Sequence, residues 1–280
     1  MKGRTWALLV VLVAVVIAGV IVRARVMGPG SASAPSPATG PGAPVAGLGG
    51  REVRIGSDTT YPPFETVDEK TKVIVGFDPD MMNEICRRAN CTAKFATTAW
   101  DGIFVALAKG DFDAVVSGVT ITDERRKAVE FSEPYLRYGQ VVLVRTDESA
   151  IAGVDTLTGK QVAVQTGTTN DEKATALQKE GKVGAIRRYE SFALAVQALV
   201  NKDVDAVIID SYAADGYINV HDGKLKKVGD PFTSEALGIA LRQGDTALKQ
   251  AFDAALAGMK TDGTLDRLYK TWFVERAPAK

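Results

Sequence analysis

The segment ALAKGDFDAVV at residues 106–116 returns, 92 positions later, as ALVNKDVDAVI at 198–208. Each copy reads as a helix running into a strand of small and β-branched residues, the composition of a strand buried on both faces. A repeat at that distance is too long for a solenoid and fits two similar α/β lobes. Both strands end in polar residues, Ser117 to Thr120 in the first copy and Asp210 with Ser211 in the second. If the lobes face each other, both strand ends point into one cleft, and open α/β sheets bind ligands at their carboxyl ends.

The first of these ends continues as a polar elbow and a short helix. Ser117, Gly118 and Thr120 offer hydroxyls and bare backbone, Thr122 suits an N-cap, and Asp123 with Glu124 suits the positive end of a helix. Arg125, Arg126 and Lys127 follow within one turn, so one of three cations can turn back over the elbow. A guanidinium beside hydroxyls and free N–H groups makes a seat for a small carboxylate, because its planar fork binds two oxygens at once. The competing reading is a solvated helix with charge pairs such as Arg126 with Glu130.

Elsewhere in the first lobe, Val53–Gly56 and Val73–Phe77 are predicted strands, and Asp80–Ala89 and Trp100–Lys109 are predicted helices, the latter ending at Gly110. The loop Asp58–Phe64 contains two prolines that fix its course. It reads either as a rigid part of a site or as a surface turn with inward aromatics. In the second lobe Gln161–Gln165 is a strand, Gly167, Thr168 and Thr169 an elbow, and Asn170 onward a helix whose first N–H groups face the same side. Plain turn chemistry explains that elbow equally well. Gln140–Arg145 and Leu237–Leu241 read as two extended crossings that make a hinge, and Leu265, Leu268, Tyr269, Trp272 and Phe273 recur at helical spacing as core contacts after a turn at Asp262-Gly263.

Before all this stands a different kind of sequence. Lys2 and Arg4 precede an uncharged apolar run from Trp6 to Val22, which reads equally as a signal peptide or a retained membrane anchor over residues 1–27. Both readings export the chain. The Gly/Pro/Ala-rich stretch at 28–50 is a flexible tether. With Lys2, Arg4, Arg23 and Arg25 in the leader, residues 51–280 hold 30 basic side chains against 34 acidic ones. That balance argues against nucleic acid, whose binding rests on phosphate neutralisation. Cys86 and Cys91 can pair in an exported domain or remain buried thiols, and two cysteines are weak as a metal site. The single histidine, His221, sits beside Asp222-Gly223 in a predicted turn, and neither a Ser/His/Asp arrangement nor a metal or cofactor motif is visible.

Taken together, Asp58–Phe64, Gly76-Phe77-Asp78, Gly118–Arg125, Phe131–Tyr135, Asp205-Ala206-Val207 and Gly263–Phe273 resemble the family 3 extracytoplasmic solute-binding proteins, the polar amino-acid receptors of ABC importers. The resemblance spans essentially all of residues 51–280. It implies the α/β, two-lobed (type II) periplasmic-binding-protein fold, with a first lobe over about 51–137 and 235–280, a second over about 138–234, and a two-segment hinge. Carried over by position, Arg125 grips the ligand α-carboxylate with the Thr120 backbone and Thr169, while Ser117, Thr120 and Asp210 hold the α-ammonium. Tyr61 and Trp100 sandwich the side chain, Asp58 and Gln165 meet its polar end, and Gly118 and Thr168 line the two elbows. Gln165 is not a cation and Asp58 is an anion, so the ligand expected is Gln, Arg, Lys or His rather than Glu or Asp; Asp78 decides little. The expected partners are the amino acid and the permease subunits, the chain itself being a monomer. Two other readings compete. A cleft dehydratase for prephenate-like substrates needs a general acid, and Tyr212, Ala213 and Ala214 after Asp210 supply none. A purely sensory domain of the kinase type carries cytoplasmic domains, and none is read here.

Overall fold

The computed structural model describes residues 47–276, so the expected leader, and the expected tether except residues 47–50, lie outside the described residues. The fold is α/β with two lobes, each built on a five-stranded sheet. Along the first lobe run β1 (Arg51–Ser57), β2 (Thr60–Tyr61), β3 (Glu65–Val67), β4 (Ile74–Val75), α1 (Phe77–Ala89), β5 (Cys91–Thr97), α2 (Ile103–Lys109), β6 (Ala114–Val115), α3 (Asp123–Arg126) and β7 (Glu130–Phe131). The chain crosses on β8 (Leu136–Tyr138) into β9 (Gln140–Arg145), β10 (Gln161–Gln165), α4 (Thr169–Lys179), β11 (Ala185–Tyr189), α5 (Phe192–Val200), β12 (Ala206–Asp210), α6 (Ser211–Val220) and β13 (Leu225–Val228). It returns on β14 (Glu235–Leu237) to β15 (Ala240–Leu241), α7 (Thr246–Thr261), α8 (Thr264–Tyr269) and a final π-helical turn at Lys270–Glu275.

The two sheets have matching order, β5-β1-β6-β15-β7 and β11-β10-β12-β9-β13. In each, three parallel strands are followed by an antiparallel one, β15 or β9, that has just arrived from the other lobe. The expected crossings therefore need correcting. Gln140–Arg145 is a sheet strand beside β12, as its buried Val141–Val144 run requires, and Ala240–Leu241 belongs to the first sheet. The crossing itself is the short ladder of β8 with β14, in which Leu136 faces Leu237 and Tyr138 faces Glu235. Three predicted boundaries also shift. The α1 helix begins at Phe77, which shortens the strand before it to Ile74–Val75, and α2 begins at Ile103, leaving Trp100 in the preceding turn.

The repeated segment is repeated in geometry as well as letters. Gly110 and Lys202, in corresponding positions, both turn the helix end with positive φ, 86° and 69°. Asp111 N–H donates to the Ala106 carbonyl at 3.0 Å and Asp203 N–H to the Ala198 carbonyl at 2.9 Å. The carboxylates of Asp113 and Asp205 then accept from the backbone of the neighbouring strand, Arg54 N–H at 2.9 Å and Gln161 N–H at 2.8 Å. An identical turn in each lobe aims β6 and β12 the same way relative to its own sheet. Cys86 and Cys91 form a disulfide across the turn from α1 to β5. The last helical segment packs Phe273 against Phe64 and Phe77 of the first lobe and against Tyr212 of α6.

Candidate functional site

Between the lobes lies a cavity lined by Asp58, Tyr61, Trp100, Ser117, Gly118, Thr120, Arg125, Gln165, Thr168, Thr169, Asn170, Phe192 and Asp210. Every residue singled out in the sequence for ligand binding is brought to this wall, together with Asn170 and Phe192, which were not. The fold explains the convergence, because Asp58 follows β1, Ser117 and Gly118 follow β6, Gln165 ends β10 and Asp210 ends β12. Thr168 caps α4, its hydroxyl oxygen accepting from Asp171 N–H. Gly118 has φ 54°, and a Cβ there would stand 2.9 Å from the Tyr61 ring, so this glycine lets the aromatic lie against the elbow.

Arg125 is oriented from both ends. The Thr122 hydroxyl caps α3 by accepting from Arg125 N–H at 3.1 Å, and Arg125 Nη1 donates to the Thr120 carbonyl at 2.9 Å. Its guanidinium lies 5.1 Å from the ring centres of both Trp100 and Phe104. Among the described residues no ion pair reaches it, and burial lowers its pKa. Such a group is poised for an external anion. Arg126 is different: it is exposed over the Phe131 ring at 5.6 Å, and Glu130, its suggested partner, accepts instead from Gly244 N–H at 3.2 Å.

Two carboxylates answer this cation. Asp210 is buried, accepting from Tyr61 Oη at 2.6 Å and from Asn170 Nδ2 at 2.9 Å. Burial raises its pKa to about 7, opposed by those two hydrogen bonds and by Arg125, and helped by Glu235. Asp58 is also buried, with Oδ2 accepting from Gln165 Nε2 at 2.8 Å and Oδ1 from Thr60 Oγ1 at 2.8 Å. The Asp58–Gln165 and Tyr61–Asp210 bonds cross from lobe to lobe, as does Trp100 Nε1 to the Gly167 carbonyl at 3.1 Å. The lobes are closed on each other.

Behind the wall stand acids that the sequence reading did not weigh as a pair, Glu65 and Asp78, both fully buried. Ser117 Oγ accepts from Asp58 N–H at 3.0 Å and donates to Glu65 Oε1 at 2.7 Å, so this hydroxyl is bound to protein on both sides. Gly118 N–H donates to Asp78 Oδ2 at 2.9 Å, which places that carboxyl behind the elbow and not in the cavity. Burial, the larger cause, and the neighbouring Asp78 raise the Glu65 pKa well above the carboxylate range, while burial lifts Asp78 to about 6. The signal missed was the Glu65 side chain, at the first residue of β3 and 52 residues from the serine it meets.

Residues 53–275 match the profile of the bacterial extracellular solute-binding proteins, family 3. The chain belongs to that family. A probable histidine-binding protein of Neisseria gonorrhoeae is 36% identical over 228 residues, covering 81% of this chain and 84% of the relative. Among solved structures, an ancestral arginine-binding protein bound to arginine is 36% identical with a TM-score of 0.76, covering 81% of this family member and all (100%) of that chain. An ancestral amino-acid-binding protein described as a precursor of cyclohexadienyl dehydratase is 39% identical with a TM-score of 0.72, covering 79% and 95%.

Proposed function

We propose that this family 3 protein is an extracytoplasmic receptor that encloses a polar L-amino acid, foremost one with a cationic side chain, between its lobes and delivers it to an ABC-type importer. The observation that carries the reading is the distribution of charge in the closed cavity: one guanidinium without an ion pair among the described residues, Arg125, faces two buried carboxyls, Asp58 and Asp210, on opposite lobes. A zwitterion leaves water only if both its charges are matched, since an unpaired buried charge costs several kcal/mol. In this reading Arg125 and the N–H groups that open α4 take the α-carboxylate, and Asp210 with Thr120 takes the α-ammonium. Tyr61 and Trp100 flank the side chain. Asp58, with Gln165, then meets the side-chain end, where Arg, Lys or His neutralises it and Gln donates an uncharged hydrogen bond. The relatives named for histidine and arginine support this order of preference.

Because each half of the site comes from one lobe, ligand binding favours the closed form and closure is what a permease reads. Residues 1–27 act as signal or anchor and 28–50 as tether in this scheme, with lobe boundaries near residues 138 and 235 and a monomeric receptor. A dehydratase reading has one observation in its favour, the raised pKa of Asp210. Against it, both Asp210 oxygens accept hydrogen bonds from Tyr61 and Asn170, which is the arrangement of a binding carboxylate. A thermal-shift screen of the chain against the twenty amino acids and prephenate tests the proposal, since a ligand of the native form raises the melting temperature by mass action. L-Arginine, L-lysine or L-histidine is expected to give the largest shift. A response to prephenate alone, or to acidic amino acids, sinks it.

A further inference from the structure

Tyr138 and Glu235 face each other on the β8–β14 ladder, where the chain crosses between lobes, and neither lines the cavity. Their side chains nonetheless close a ring of hydrogen bonds with three others. Tyr138 Oη donates to Glu235 Oε2 at 2.8 Å, and Gln140 Nε2 donates to Glu235 Oε1 at 2.8 Å. The same Gln140 nitrogen reaches Thr169 Oγ1 at 3.3 Å, Thr169 Oγ1 lies 3.4 Å from Thr120 Oγ1, and Thr120 Oγ1 lies 2.5 Å from Tyr138 Oη. The ring joins both lobes and both crossing strands. It also forms the partition between the cavity and a wider, more open groove on the hinge side, which Thr120, Gln140, Thr169 and Glu235 line.

Counting donors fixes its direction. The Tyr138 hydrogen and one Gln140 amide hydrogen go to the two Glu235 oxygens, and the second amide hydrogen goes to Thr169. Thr169 must then donate to Thr120, and Thr120 to Tyr138. Both threonine hydroxyls thereby spend their hydrogens inside the ring and turn only lone pairs toward the cavity.

We propose that Tyr138, Gln140 and Glu235 are positioning residues that couple hinge closure to the amino-acid site by orienting the hydroxyls of Thr120 and Thr169. The proposal rests on the amino-acid-receptor reading. In the closed form the oriented hydroxyls accept from an ammonium and cannot donate to a carboxylate, which leaves the carboxylate to Arg125 and backbone N–H groups. Opening the lobes parts Thr120 from Thr169 and breaks the ring, so its hydrogen bonds favour only the closed state and enter the ligand affinity through closure.

The test uses Tyr138→Phe, Glu235→Gln and their double variant in the full chain, with L-arginine and L-histidine as probes. Calorimetry gives affinity, stopped-flow gives dissociation rate, and Förster transfer between a dye on each lobe gives the closed fraction. Each single variant is expected to weaken binding about tenfold, the worth of a broken hydrogen-bond pair. Dissociation quickens and the closed fraction at subsaturating ligand falls, while the melting temperature without ligand stays unchanged. The double variant is expected to be no weaker than the worse single one, because the ring is one unit. Affinities within twofold of the parent, additive losses, or an equal loss of ligand-free stability overturn the proposal. If the parent binds neither probe nor any other amino acid, the receptor reading falls first and takes this one with it.

Discussion

Arg125 and Arg126 are the same residue in adjacent positions, and the cap at Thr122 sends only the first back over the Thr120 carbonyl. Truncating one member of a desolvated charge pair costs about 2–5 kcal/mol, whereas a change on an exposed surface stays within about 0.5 kcal/mol. Arg125→Ala is therefore expected to weaken amino-acid binding about thirtyfold or more, and Arg126→Ala by less than about threefold, both read by titration calorimetry. Equal affinities would show that the carboxylate does not sit at Arg125. The sequence alone narrowed the choice to three cations, and the family resemblance selected among them; helical spacing could not, because direction within a single turn is set by the cap and by the rings of Trp100 and Phe104. Ser117 marks the opposite limit. Its position at the strand end was legible, but its hydroxyl is bound by Asp58 N–H and Glu65, contacts that only the folded chain brings together.

At the scale of elements, what was legible is what is local. The repeated helix-turn-strand unit could be found by eye because burial of the strand and the left-handed turn each demand particular residues. One copy departs from the demand: Lys202 holds φ 69° where its counterpart is Gly110. A left-handed conformation costs a side-chain-bearing residue about 1 kcal/mol or more, partly offset by the entropy a glycine loses on folding. Lys202→Gly is expected to raise the melting temperature by about 1–3 °C in calorimetry. A fall would mean that the exposed Lys202–Asp147 pair, at 3.2 Å, outweighs the backbone term, against the usual weakness of such pairs. The hinge was less legible. Gln140–Arg145 carries an apolar run that suits a buried strand anywhere, and nothing local distinguishes a strand that crosses from one that has just crossed. The pairing of Tyr138 with Glu235 spans 97 residues and appears only in the fold.

For the molecule as a whole, folding buries acids away from water, and this gives stability and affinity opposite dependences on pH. Asp210, raised to about 7, and Asp78, raised to about 6, are both held up by burial, and Glu65 shifts the same way. A carboxyl whose folded pKa lies above its unfolded value favours the protonated fold. Its contribution is complete below the unfolded value, about 4, and is lost as pH rises through the folded one. Ligand-free protein is thus expected to melt at progressively lower temperature between pH 5 and pH 8. His221, whose pKa burial lowers, works in the other direction, and His221→Gln removes its share. An α-ammonium seated on Asp210 needs the carboxylate ionised, so below pH 7 binding must expel a proton. Affinity for L-arginine is then expected to strengthen as pH rises from 5.5 to 7.5, by up to about tenfold per unit on the acid side. Calorimetry in buffers of different ionisation enthalpy counts the proton directly. Asp210→Asn should abolish that release while leaving the Asp78 and Glu65 part of the stability trend, because those acids lie behind the elbow and touch no ligand. Proton release that survives in Asp210→Asn, or an affinity flat across this range in the parent, would remove the ammonium from Asp210. The two lobes would then be held closed by something other than the two charges of one amino acid.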